Sequence, residues 1–177
     1  LYVTTIKGYN PQEIRKVTNP KGSAVVSSVY KITASWNYFS GIDLDGIGGA
    51  YYIHYDIYGA GASKIAILDL TTKKSMTITG QQKGCVIGPV ASSKFSMAQD
   101  LKAGKAGEAI VADDLCHQIK RIFSGTVTAI GSGTQGYLDG LASKAKFNRP
   151  SAIAYDKATG KIFIADKNNF KIRVYNP

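Results

Sequence analysis

The chain has 177 residues, of which 44% are hydrophobic and 19% are charged, a balance typical of a globular protein and not of a disordered one. Its 22 Lys and Arg residues against 12 Asp and Glu residues give a formal charge of +10, which excludes an acidic tail and leaves anionic partners open. No apolar run approaches the roughly 18 residues that a membrane-spanning helix needs, so we predict no membrane span.

Glycine and tyrosine are the prominent residues of this composition. The 19 Gly and 11 Tyr residues, with only 2 Met, accompany many Val, Ile and Thr residues, which favour strands and tight turns. The best candidate for a helix, residues 138–146, has lysines and small residues where an apolar face should lie. We therefore predict an all-β chain.

A short run of residues recurs four times along the chain. Its leading isoleucines, Ile14, Ile65, Ile119 and Ile172, stand 51, 54 and 53 residues apart. Further runs with strand character lie before and after these copies, separated by turns rich in Gly, Lys and Asp. Four short strands in a period of about fifty residues are typical of a β-propeller blade.

In chain order, the repeat divides the chain into four segments. Residues 1–29 supply three strands of a partial blade, residues 31–80 and 81–131 supply complete blades, and residues 132–177 supply three strands of a last partial blade. The innermost strand of a blade is expected to follow a phenylalanine, because small and apolar residues there suit a crowded central channel. The sequence therefore predicts about three and a half four-stranded antiparallel blades.

This count leaves the predicted ring open, since a closed propeller needs at least about four blades. Two interpretations follow: the chain is a piece of a longer propeller, or further copies complete it. In both, the first and last strands present unpaired backbone groups. The candidate edges for assembly are therefore the strands around Val3 and Thr4 and around Ile172 and Val174.

The last third of the chain carries a family resemblance. The run FNRPSAIAYD at 147–156, followed by GKIFIAD at 160–166 and NNFKIR at 168–173, resembles an NHL repeat. Residues 107–122 are a second match, and the chain before residue 107 resembles the family weakly. The resemblance implies an NHL-like propeller. Some propellers of this family bind RNA on one electropositive face, and an amidating lyase of the family uses metal ligands and histidines that this sequence does not match.

The two cysteines fall on the same face of the predicted propeller. Cys85 lies in the connector that enters the third blade, and Cys116 lies in the turn between the second and third strands of that blade. They could approach disulfide distance, and such a pair favours an oxidising, extracellular or secreted setting; two free thiols and a cytoplasmic location are the alternative. With 2 Cys and 2 His, no zinc-type spacing occurs, so we predict no metal and no cofactor.

Lysines are spread over both loop faces of the predicted propeller. Lys144, Lys146 and Lys167 are candidate anion-binding residues on one face, but about as many lysines occupy the other face. This spread argues against a single electropositive surface for RNA. His54 lies in a strand among tyrosines and is expected to pack or form a hydrogen bond there, and His117 has no evident third group to orient it. We therefore predict no catalytic residue.

Together these observations favour a non-enzymatic scaffold that binds proteins, either other partners or further copies of itself, through its loops and edge strands. A self-assembling extracellular or surface component fits the strand composition and the predicted cysteine pair. The alternatives are an RNA-binding NHL propeller that uses basic loops, and a propeller enzyme of lyase or lactonase type whose sites lie outside this segment.

Overall fold

The computed structural model of the chain describes residues 2–5, 12–18, 23–32, 37–56, 61–105 and 107–177. These residues form strands and turns, and the helical segments among them are two single-turn 3₁₀ helices. The fifteen strands are β1 (Tyr2–Thr5), β2 (Gln12–Thr18), β3 (Val25–Ile32), β4 (Asn37–Leu44), β5 (Gly49–Asp56), β6 (Ser63–Asp69), β7 (Ser75–Thr79), β8 (Gly88–Pro89), β9 (Ala98–Ala103), β10 (Ala109–Asp113), β11 (Gln118–Phe123), β12 (Thr126–Ile130), β13 (Pro150–Tyr155), β14 (Ile162–Asp166) and β15 (Lys171–Tyr175). The 3₁₀ helices are Asp114–Cys116 and Lys167–Asn169.

The strands form four antiparallel sheets, which we number in chain order. The first sheet is β1-β2-β3, the second is β4-β5-β6-β7, the third is β8-β12-β11-β10-β9 and the fourth is β13-β14-β15. Consecutive strands pair with each other throughout the first, second and fourth sheets and from β9 to β12 in the third, where β8 pairs with β12. The prediction of an all-β, propeller-like fold of antiparallel sheets is confirmed, and the four sheets have three, four, five and three strands in chain order.

The innermost strands of the second, third and fourth sheets are β4, β9 and β13. The strand β4 contacts β9, and β9 contacts β13. The second strand of one sheet contacts the innermost strand of the next, as β5 contacts β9 and β10 contacts β13. The strand β1 contacts β4 in the same way, so β1 occupies the position of the second strand in its own sheet. The first sheet thus has no innermost strand among the described residues, as the repeat predicts.

Two details of the sheets differ from the sequence expectation. The strand β3 continues to Ile32, past the limit of residue 29 expected for the first blade. The two-residue strand β8 was not predicted, and it pairs with Thr126 and Val127 at the start of β12. It adds a fifth, outermost strand to the third sheet and draws the connector between the second and third sheets against that edge.

Apolar side chains fill the spaces between neighbouring sheets. Because successive residues of a strand point to opposite faces, Tyr52 packs towards the first sheet while Ile53 packs towards the third. Complete burial of one such side chain stabilises the fold by about 1.5–3 kcal/mol. The three clusters are centred on Ile14, Tyr52 and Leu68, on Ile53, Ile65 and Leu101, and on Ile110, Ile119 and Ile164.

Carboxylates on the innermost strands join one sheet to the next. Asp43 Oδ2 accepts a hydrogen bond of 2.9 Å from the backbone N–H of Ala103. Asp100 Oδ2 accepts one of 3.0 Å from the backbone N–H of Ile153. These bonds satisfy edge N–H groups that would otherwise be costly to leave unpaired, so they fix the stagger of adjacent sheets.

Candidate functional site

The fourth sheet carries an apolar face that is not covered by the described part of the chain. Ile153, Ile162 and Ile164 point towards the third sheet and are buried there. The opposite side, which we call the outer face of the fourth sheet, consists of Ala152, Ala154, Phe163, Ala165, Ile172 and Val174. Phe163 is 40% exposed, Ile172 is 70% exposed and Val174 is 48% exposed. A shallow groove runs along this face between β13, β14 and β15.

The third sheet shows the same kind of face when it is covered. Ile119 in β11 precedes Ile172 in β15 by 53 residues and holds the same register position. Ile119 is 0% exposed, because the fourth sheet packs on it. In the same way Ile110 corresponds to Phe163 and Ala112 to Ala165. The outer face of the fourth sheet therefore has the residue types of a sheet-to-sheet interface.

One polar feature of the covered face is missing from the exposed one. Asp100, whose carboxylate bonds to the neighbouring sheet, lies opposite Ala112 in the third sheet. The position that corresponds to it in the fourth sheet, opposite Ala165, is Ala152. The outer face thus presents no carboxylate there, and all six of its named side chains are apolar.

At the other end of the stack, the side of the first sheet that points away from the second sheet carries an ion network beside Val17 and Val26. Ile14 packs against the second sheet, so Glu13, its neighbour in the strand, points away from that sheet. The Glu13 carboxylate lies 2.8 Å from Arg15 Nε and 3.1 Å from Lys31 Nζ. Hydrogen bonds from Arg15 and then Lys31 lower the pKa of Glu13 below its ordinary value of 4.5.

The structure places the predicted assembly residues in the edge strands. Ile172 and Val174 lie in β15, which pairs with β14. Val3 and Thr4 lie in β1, which pairs with β2. The side chains of Val3 and Thr4 are outside the described part of the chain, so only Ile172 and Val174 enter the exposed apolar face described above.

The three candidate anion-binding lysines have different surroundings. Lys144 and Lys167 are exposed. Lys146 is half-buried, and its side chain lies against Gly136. Its backbone carbonyl accepts a hydrogen bond from Arg173. Within the described residues, no hydrogen bond or ion pair connects any two of these lysines or directs them to a common partner. Their use in anion binding stays a prediction.

A buried ion pair in the third sheet was not found by reasoning from the sequence. Lys120 Nζ lies 2.8 Å from Asp113 Oδ2, and both side chains are fully buried. Asp113 also accepts hydrogen bonds from the backbone N–H groups of Ser96 and Met97. The Lys120 ammonium stacks on the Phe95 ring at 4.5 Å from its centroid. These contacts attach the start of β9 to the turn between β10 and β11.

The fourth sheet repeats this arrangement with arginine. Arg173 NH1 lies 2.9 Å from Asp166 Oδ2, and Arg173 also donates to Asp139 and to the backbone carbonyl of Leu138. Asp166 accepts a hydrogen bond of 2.7 Å from the backbone N–H of Asn148. The signal available in the sequence was an aspartate seven residues before a basic residue, repeated after 53 residues.

The structure pairs the two cysteines. Cys85 Sγ and Cys116 Sγ lie 2.06 Å apart, which joins the connector before the third sheet to the 3₁₀ turn within it. In the fourth sheet the residue 53 positions after Cys116 is Asn169. Its side-chain amide donates a hydrogen bond of 2.8 Å to the carbonyl of Gly136, in the corresponding connector. A covalent bond and a hydrogen bond thus hold the same two segments in successive sheets.

The two histidines have structural surroundings. His117 Nδ1 accepts a hydrogen bond of 3.1 Å from the backbone N–H of Arg149, whose guanidinium pairs with Asp114 at 2.6 Å. Burial, with the nearby charge of Lys64, lowers the pKa of His54 to about 4. No group of three or more His, Cys, Asp or Glu side chains in the described part of the chain is placed to hold a metal ion.

The comparison with known families agrees with the architecture. The NHL repeat family matches residues 147–175, which span β13, β14, the second 3₁₀ turn and β15. Residues 147–175 are an NHL repeat. This segment contains the Asp166–Arg173 pair as well as Phe163, Ile172 and Val174 of the outer face.

Similar proteins were found among curated sequences and solved structures. The chain is 34% identical over 70 residues to the protein SUPPRESSOR OF QUENCHING 1, chloroplastic, from Arabidopsis thaliana, which covers 38% of this chain and 6% of that protein. Its fold is similar to a chain of the nidogen/laminin complex, with a TM-score of 0.63, 11% identity and coverage of 92% and 52% of the two chains. It is also similar to an auxiliary nutrient binding protein from Bacteroides ovatus, with a TM-score of 0.54, 17% identity and coverage of 98% and 57%. The chain therefore spans less than two thirds of each of these relatives.

No helix in the described part of the chain has the length and apolar character needed to cross a membrane.

Proposed function

We propose that this chain is a non-enzymatic scaffold that associates with a second copy of itself through the outer face of the fourth sheet. The observation that carries the proposal is the exposure of Phe163 and Ile172 at register positions whose counterparts, Ile110 and Ile119, are fully buried between two sheets. Exposed apolar faces with the residue types of a sheet-to-sheet interface are candidate interaction sites.

The chemistry of the two end faces favours pairing of like with like. The outer face of the fourth sheet is apolar, whereas the side of the first sheet that points away from the second sheet carries the ion pairs of Glu13 with Arg15 and Lys31. Stacking the fourth sheet of one copy on the first sheet of another would desolvate that ion network against apolar side chains, which is unfavourable. Two outer faces of the fourth sheet are complementary to each other, as a two-fold interface requires.

We extend the proposal to an oxidising, extracellular setting. The pairing of Cys85 and Cys116 supports it, because disulfides persist in such compartments and are rare in reducing ones. The formal charge of +10 favours solubility. It does not determine which face of the chain takes part in the association.

Sedimentation velocity of the 177-residue chain over a dilution series tests the proposed function. We expect a concentration-dependent dimer, and we expect Ile172→Lys to abolish it, because the new charge would be desolvated at the centre of the contact. The matched control is Leu141→Lys, at an apolar residue that is 76% exposed but lies outside this face. A chain that stays monomeric at every concentration, or an Ile172→Lys variant that dimerises like the parent, contradicts the proposal.

A further inference from the structure

The disulfide between Cys85 and Cys116 has one accessible end and one enclosed end. Cys85 lies on the exposed part of the connector between the second and third sheets. Cys116 is 1% exposed, within the 3₁₀ turn of the third sheet. Thiol–disulfide exchange requires a thiolate to approach one of the two sulfurs. Because Cys85 is the exposed residue of the pair and Cys116 is buried, we expect an external thiolate to attack Cys85 Sγ and Cys116 Sγ to leave.

A buried ammonium group lies beside the leaving sulfur. Lys120 Nζ is 3.6 Å from Cys116 Sγ. It also donates hydrogen bonds of 2.7 Å to the carbonyl of Lys94 and 2.8 Å to Asp113 Oδ2. An ammonium group has three protons, so the third is available to the sulfur. The Lys120 side chain is fully buried, and water does not compete for that proton.

The charge on Lys120 depends on its surroundings. Burial lowers the pKa of Lys120 from its ordinary value of 10.5, and the Asp113 carboxylate opposes this by its charge and its hydrogen bond. The 2.8 Å ion pair favours the protonated amine. A cation held at this distance stabilises a thiolate on Cys116 Sγ, as cations do at other reactive cysteines.

We propose that Cys85 and Cys116 form an exchangeable disulfide that reacts with small thiols, with Cys85 as the attacked sulfur and Cys116 as the leaving group stabilised by Lys120. The substrate class is a low-molecular-weight thiol, and the product is a mixed disulfide on Cys85. This site is separate from the outer face of the fourth sheet, and it lies on the connector to the third sheet.

The reaction proceeds by two successive thiol–disulfide exchanges. A thiolate forms a new sulfur–sulfur bond with Cys85 Sγ, the bond between Cys85 and Cys116 breaks, and its electron pair stays on Cys116 Sγ as a thiolate. In a second step, the thiolate of another thiol molecule, or the second thiolate of a dithiol, attacks the reagent sulfur of the mixed disulfide. Cys85 Sγ then leaves as a thiolate. The reagent is then oxidised to its disulfide, and the cysteine pair is reduced by two electrons.

The reduced state has a second contact to hold the connector. The carbonyl of Gly84 lies 3.3 Å from Cys116 Sγ, so a protonated Cys116 can donate to it. In the fourth sheet Asn169 donates to the carbonyl of Gly136 at the corresponding place. Reduction would therefore replace a covalent tether by a hydrogen bond of the kind that the neighbouring repeat uses, and the third sheet would stay folded.

Reaction of the full chain with glutathione, quenched in acid and followed by peptide mass spectrometry, tests the site. We expect glutathione on Cys85, with Cys116 as the free thiol. For Lys120→Met we expect exchange to be about tenfold slower, since the leaving thiolate loses its cation. For Asp113→Asn we also expect slower exchange, because burial favours the neutral amine of Lys120 once the carboxylate that keeps it protonated is gone.

Slower exchange in both variants separates the proposal from a loss of structure. Both variants break the same buried ion pair, so a loosened fold would speed exchange in both. Arg173→Met, which changes the corresponding position of the fourth sheet, is the matched control and should leave the rate within about twofold of the parent. Glutathione on Cys116, faster exchange in Lys120→Met, or a disulfide that does not react with glutathione would each overturn the proposal.

Discussion

The third and fourth sheets contain corresponding residues and contacts but have different neighbours. Each contains a buried aspartate paired with a basic residue seven positions later, Asp113 with Lys120 and Asp166 with Arg173. Each places an isoleucine at the same register position of the following strand. Ile119 is enclosed by the fourth sheet, whereas Ile172 is exposed. The comparison shows that the contacts within a sheet are set by its own repeat, while burial of its face depends on what packs against it.

The contact that joins the connector before a sheet to the 3₁₀ turn within it is a second difference between the two sheets. The third sheet uses the Cys85–Cys116 disulfide, and the fourth uses the hydrogen bond from Asn169 to Gly136. The hydrogen bond alone is compatible with an intact repeat, so the disulfide adds stability or reactivity beyond what the fold requires. Three paired substitutions sharpen these contrasts.

The largest effect is expected from the buried ion pair. Asp113→Ala should lower the free energy of unfolding by about 3–5 kcal/mol, because it leaves the Lys120 ammonium buried without its counterion. Asp139→Ala, at a carboxylate that is 72% exposed and shares Arg173 with Asp166, should cost about 0–1 kcal/mol. Urea unfolding measures both. Equal losses would show that burial of the third-sheet pair has no energetic consequence.

The next contrast is between the two isoleucines at the same register position. Ile119→Ala should lower the free energy of unfolding by about 2–5 kcal/mol, since it opens a cavity between two sheets. Ile172→Ala in dilute protein should change it by less than about 0.5 kcal/mol, because the side chain is already in contact with water. Urea unfolding of the two variants measures both changes. A large decrease in the free energy of unfolding of Ile172→Ala would mean that the outer face of the fourth sheet is covered in the isolated chain.

The smallest contrast concerns the two tethers. Replacing Cys85 and Cys116 together by serine should cost about 2–4 kcal/mol, because the cross-link no longer restricts the unfolded chain. Asn169→Ala should cost about 1 kcal/mol, the net value of one hydrogen bond. Thermal unfolding with and without a strong reductant provides the check. A parent protein whose melting temperature does not respond to the reductant would be at odds with this expectation.

Much of the fold could be predicted from the sequence, because strand alternation and turn residues are local signals. The spacing of Ile14, Ile65, Ile119 and Ile172 predicted the four sheets, and the absence of an innermost strand in the first sheet followed from the same count. The strand β8 could not be predicted, since a two-residue pairing leaves no periodicity. The position of Cys116 in a turn was readable, and its contact with Lys120 was not.

The candidate site was only partly accessible from the sequence. Ile172 and Val174 were predicted as edge residues, but Phe163 was not, because its exposure depends on how neighbouring sheets stack. The buried Asp113–Lys120 pair was missed for a related reason. Charged residues are ordinarily placed at the surface, and only the three-dimensional arrangement shows that these two satisfy each other and the start of β9.

The most direct test of the self-association account is hydroxyl-radical footprinting of the 177-residue chain in dilute and concentrated solution. Side-chain oxidation, located by mass spectrometry, reports the exposure of Phe163 and Ile172 in each state. We predict that both become protected as concentration rises, while two exposed apolar residues elsewhere do not: Ile47, in the turn between β4 and β5, and Phe123, in β11. Oxidation of Phe163 and Ile172 that is the same at both concentrations would contradict the account.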